Sequence, residues 1–104
     1  MRNMFKDFGA VPMSENHQKQ LREATYKLTQ YMDPESAMCY LDSKDILTND
    51  EIEKIKKSTT TNDQVKQLIG LLQRKSESAF FTLMEALREI HQQHVLTIIE
   101  QSGE

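Results

Sequence analysis

The chain lacks most of what would mark an enzyme, a secreted protein or a membrane protein. It has one cysteine, Cys39, in 104 residues. One thiol cannot form an intramolecular disulfide, so a disulfide scaffold is excluded and a reducing compartment is expected. No apolar run approaches the ~20 residues that a membrane span needs. The N-terminus carries Arg2 and Lys6 but no apolar stretch, unlike a secretory signal; a cytoplasmic location is the expectation. Glycines number three and prolines two, and β-branched runs are scarce apart from Ser58-Thr59-Thr60-Thr61. Those shortages disfavour a sheet and favour helices. A general excess of positive charge is also missing. The net charge of −3 gives no overall attraction to nucleic acid or to an anionic membrane. There is no CxxC, no HExxH, no internal repeat and no low-complexity tract.

What is present is a series of helix starts, each followed by an apolar stripe. The length suits one small domain with one core. Residues 1–13 stand apart as a flexible leader, because Gly9 and Pro12 break any helix there. From Ser14, the spacing of Leu21, Ala24, Thr25, Leu28, Tyr31 and Met32 predicts a first amphipathic helix. Asp33-Pro34 then opens a second, over about 34–42, since proline suits a first turn and aspartate caps it. Met38, Leu41 and Ala37 are its core positions.

Thr48-Asn49-Asp50-Glu51 reads as a capping box opening a third helix with Ile52 and Ile55 as its buried pair. Thr61-Asn62-Asp63-Gln64 repeats the device before Val65, Leu68, Ile69 and Leu72. Gly70 interrupts that stripe, which suggests a second helix passing close. Ser76 is the expected cap of a fifth helix, with Phe80, Leu83, Met84, Leu87 and Ile90 in its stripe and Ala79 and Ala86 as small packing positions. A sixth, about 93–101, offers Val95, Leu96, Ile98 and Ile99. The expectation is an all-α, six-helix antiparallel bundle over residues 14–101, followed by a tail at 102–104.

The ordered series from Leu41 onward resembles the caspase recruitment domain of the death-fold superfamily. The matching residues are Asp45-Ile46-Leu47-Thr48, Glu51-Ile52-Glu53, Asp63-Gln64-Val65 and Leu68-Ile69-Gly70-Leu71-Leu72. Lys75, Ala79-Phe80, Leu83, Ala86-Leu87, Glu89 and His94-Val95-Leu96 continue it. Ser76 stands where many members of the family have glycine. The resemblance implies a first helix bent into two pieces, and the bend is expected near Ala24-Thr25, where threonine can back-bond to the preceding turn.

Charge is sorted along the chain. Residues 33–53 hold seven carboxylates against Lys44 alone, a net −6; residues 54–75 hold six cations against Asp63 alone, a net +5. The resemblance implies a use for this: an acidic face on the second and third helices docks on a basic face of the first and fourth in another caspase recruitment domain. The acidic face would be Asp42, Asp45, Asp50, Glu51 and Glu53; the basic face would be Arg22, Lys27 and Lys66. Such a contact is head-to-tail and self-assembly can follow from it. The expected function is a homotypic interaction module that clusters signalling proteins in apoptosis or innate immunity. It would be non-enzymatic, without cofactor, small-molecule substrate or membrane partner.

The alternative is a small helical nucleic-acid-binding domain using the basic stretch from Lys54 to Lys75 on phosphates. The acidic total argues against it. Other candidates carry less. His91 and His94 are three apart, as metal ligands can be, but only Glu89 lies near as a third ligand. Cys39 has no basic neighbour in sequence to activate it and reads as a partly buried thiol. Phe81, next to Phe80, leaves the stripe and reads as half exposed.

Overall fold

The computed structural model describes residues 11–102. Six helices run through them: α1 (Glu15–Tyr31), α2 (Pro34–Ser43), α3 (Asn49–Lys56), α4 (Thr61–Gln73), α5 (Glu77–Glu89) and α6 (Gln93–Gln101). The long α1 packs chiefly along α4 and also along α6, while α2 lies against α5 and α4, and α3 against α4. The core is one cluster of side chains, aliphatic apart from Phe80 and the methionines. Leu21, Leu28, Met38, Leu41, Leu68, Ile69, Leu72, Leu83, Leu87 and Ile99 are its largest fully buried members.

Local chemistry explains where most helices start. The Ser14 hydroxyl accepts from the His17 amide at 3.2 Å, and the Asp33 carboxylate accepts from Glu35 and Ser36 with Pro34 in the first turn. At α3 both halves of the capping box form. The Glu51 amide donates to the Thr48 hydroxyl at 3.2 Å, and the Thr48 amide donates to the Glu51 carboxylate at 2.9 Å.

Several expectations need correction. Helix α1 is continuous across Ala24 and Thr25 instead of forming two pieces. The Thr25 hydroxyl does donate to the Leu21 carbonyl at 2.7 Å. Leu21, Ala24 and Leu28, all buried, hold the helix together on either side of that bond. Tyr31 is exposed, and Thr29 takes a buried place on α1 in its stead. The cap of α4 is Thr60 rather than Thr61, with the Asp63 amide donating to it at 3.1 Å. Ser76 stands at the cap position of α5, but its hydroxyl pairs with that of Ser78 at 2.8 Å. Cys39 is exposed on α2, because the buried face there is filled by Ala37, Met38 and Leu41.

Gly70 has no close helix over it. A Cβ built at that position meets nothing within 4 Å. Residues 11–13, read as leader, belong to the fold instead. The Val11 carbonyl accepts from the Glu77 amide at 2.7 Å, the Met13 amide donates to the Lys75 carbonyl at 3.3 Å, and the Met13 side chain is buried. The rest of the expected leader, residues 1–10, and tail residues 103 and 104 lie outside the described residues.

Candidate docking surfaces

Seven of the eight residues singled out for docking are exposed: Asp42, Asp45, Asp50 and Glu53 on one side of the charge pattern, Arg22, Lys27 and Lys66 on the other. Asp42 is on α2, and Asp50 and Glu53 on α3. Asp45 sits in the turn between them with φ of 60°, a left-handed conformation that aspartate tolerates better than most side chains. Its amide donates to the Asp42 carbonyl at 3.0 Å, which folds the turn back and keeps both carboxylates near the end of α2.

Glu51 differs from the other seven. Its carboxylate is half-buried and meets the Lys75 ammonium at 3.0 Å while also closing the α3 cap. Burial works to raise its carboxyl. The Thr48 amide and the Lys75 ammonium outweigh that effect and hold it below the usual glutamate value. Glu51 is therefore spent inside the domain, tying α3 to the corner between α4 and α5. The same pair removes Lys75 from the basic stretch read as a phosphate-binding surface.

The basic residues are not gathered in one hollow. Lys27 lines a shallow groove between α1 and α6 with Tyr26, Tyr31, His94 and Ile98. Lys66 lines a different one, between α3 and α4, with Glu51, Lys54, Gly70 and Arg74. Sequence reasoning missed both grooves. The signal for the second was the four-residue spacing of Lys66, Gly70 and Arg74, which stacks them on one side of α4 and its C-terminal cap, outside the apolar stripe. The signal for the first was Tyr26, an aromatic two places past Ala24 and off the stripe; it is 73% exposed.

Elsewhere, polar contacts serve the fold. The His17 ring stacks on Phe80 with centroids 3.8 Å apart, and its Nδ1 lies 2.7 Å from the Glu77 carboxylate. The Tyr40 hydroxyl donates to Glu85 at 2.5 Å, joining α2 to α5. That bond, reinforced by partial burial and by the negative charge of Glu85, pushes the phenol up to about 12. His94 stands edge-on to Tyr31. Among the described residues no helix is long and apolar enough to cross a membrane.

Comparison with known proteins adds two findings. The family model described as the caspase recruitment domain matches residues 18–102. Caspase-2 of Gallus gallus is 30% identical over 91 residues, which covers 88% of this chain and 22% of that protein. The chain thus spans less than a quarter of the length of that relative.

Proposed function

Since the chain belongs to the caspase recruitment domain family, whose members are protein-interaction modules, we propose that it docks on a second caspase recruitment domain through opposed charges. Its acidic surface, Asp42, Asp45, Asp50 and Glu53 around α2 and α3, meets the partner's basic surface. Its own Arg22, Lys27 and Lys66 receive the partner's acidic one. The observation that carries this reading is that all seven residues are exposed, the acidic ones on α2, α3 and the turn between them and the basic ones on α1 and α4. Glu51 is placed outside the contact, as the residue that positions α3 beneath it.

Each domain carries both faces, so the contact is head-to-tail and extends to longer assemblies. Clustering would raise the local concentration of whatever each domain is attached to. The setting is cytoplasmic signalling in apoptosis or innate immunity, a reading that the likeness to caspase-2 supports.

Two charge reversals test it. Lys66→Glu removes the basic face and Glu53→Lys the acidic one, and each should abolish self-association or partner binding at low salt. Mixed together, the two proteins should recover a heteromer that does not grow, since each retains one intact face. Wild-type assembly by both single variants would reduce the charge blocks to solvated surfaces.

A further inference from the structure

The groove between α3 and α4 has a volume of about 500 Å³, within the usual range for small-molecule sites. Lys54 from α3, Lys66 from α4 and Arg74 from the cap that ends α4 line it. Its one carboxylate, Glu51, is already neutralised by Lys75 at 3.0 Å. None of the three lining cations has an ion-pair partner among the described residues. The groove is therefore a pocket of uncompensated positive charge on a chain whose net charge is −3.

The shape of the groove narrows the ligand. Lys66 on α4 and Arg74 at its C-terminal cap are eight residues apart, which sets their backbones about 12 Å apart along the axis. Midway between them is Gly70, which costs a helix up to about 1 kcal/mol against alanine. No packing contact demands that glycine, because a Cβ there meets nothing within 4 Å. What it leaves is room on the groove floor. Ile55 and Leu71 add apolar wall beside it.

We propose that this groove binds a compact organic polyphosphate, with phosphates spaced around a small scaffold that lies over Gly70. A ring carrying several phosphates can engage these side chains separately, whereas a single phosphate must draw them to one point. Phosphate suits this lining better than carboxylate does. It carries more charge per group and presents oxygens that the guanidinium fork of Arg74 can take two at a time. Lys66 also belongs to the basic docking face, so an occupied groove would compete with homotypic docking. That consequence rests on the proposed function; the binding itself does not.

The test is calorimetric titration of the whole chain with inositol hexakisphosphate, with inorganic phosphate as comparator, at two salt concentrations. Saturable one-to-one binding of the hexakisphosphate is expected, weakened by salt, with inorganic phosphate at least about tenfold weaker. Gly70→Leu keeps every charge and builds into open space; it should retain the helical circular dichroism signal and lose at least about tenfold in affinity. Arg74→Gln, at an exposed position, should lose a similar factor. The proposal fails if the hexakisphosphate does not saturate, if inorganic phosphate binds equally well, or if both variants bind like wild type. A domain that captures a caspase recruitment domain but no polyphosphate would also overturn it while leaving the docking reading intact. A polyphosphate that binds without weakening capture would uphold the groove and count against Lys66 in docking.

Discussion

Helices α3 and α4 lie side by side and are held by opposite means. In α4, Val65, Leu68, Ile69 and Leu72 are all fully buried. In the eight residues of α3 only Ile55 is buried, with Ile52 packed partly against the core. A helix that short has little stability of its own. Its position depends on the capping box and on the Glu51–Lys75 pair, both polar and both near the surface. The difference teaches where this domain can tolerate change. The apolar helix is fixed by burial and can carry no function on its inner side. The polar helix carries exposed charge on almost every turn but is anchored at one end by a single carboxylate.

The largest effect should come from the buried side. Leu68→Ala, at a position with no exposure, should cost about 2–5 kcal/mol and lower the melting temperature by many degrees, or prevent folding. Melts close to wild type would mean that α4 is not held as described.

The same comparison predicts a smaller and local loss in α3. Glu51→Gln should cost about 1 kcal/mol, chiefly through the charged pair with Lys75, since glutamine can still accept from the Thr48 amide. Amide hydrogen exchange should quicken in residues 49–56 before it quickens in α4. Equal acceleration in both helices would show that α3 is not a separate unit.

Acid should act on this same anchor. The folded Glu51 carboxyl is held below its ordinary value, so it contributes stability that is complete above the unfolded glutamate pKa and fades as pH falls through the lower folded one. Loosening of α3 is thus expected below about pH 4.3. It should be absent in Glu51→Gln, measured by exchange across a pH series.

The smallest effects lie on the groove and the exposed charges. Gly70→Ala should raise stability by up to about 1 kcal/mol, since the methyl group meets nothing. Lys66→Glu and Glu53→Lys should each stay within about 0.5 kcal/mol of wild type. A large loss from either reversal would place it among the anchors and outside the docking surface.

The architecture was legible in the sequence because its signals are local. A stripe at helical spacing and a serine, aspartate or threonine three residues before the amide it accepts from are both contained in a short window. Asp33 and Thr48 announced their helices on that basis, and the apolar spacing after Ser14 announced the first. What crosses between helices was not legible. Glu51 read as a cap residue and a member of the acidic face until its partner, Lys75, appeared 24 positions away. Gly70 looked like a close-packing glycine because spacing along α4 says nothing about what stands opposite. Val11 and Met13 looked like leader because their main-chain bonds go to residues 75 and 77, far along the chain.

One small feature offers an optical handle. Cys39 is the only thiol in the chain. It lies exposed on α2 and shares a hollow with Asp42, Ile52 and Lys56. A maleimide dye added to the wild-type protein would therefore attach at a single known point, on the same edge as the acidic docking surface. Its emission and anisotropy should change when a partner covers that edge and change less when only the basic residues of α1 and α4 are occupied, so two labelled titrations would give the polarity of the assembly without any substitution in the domain.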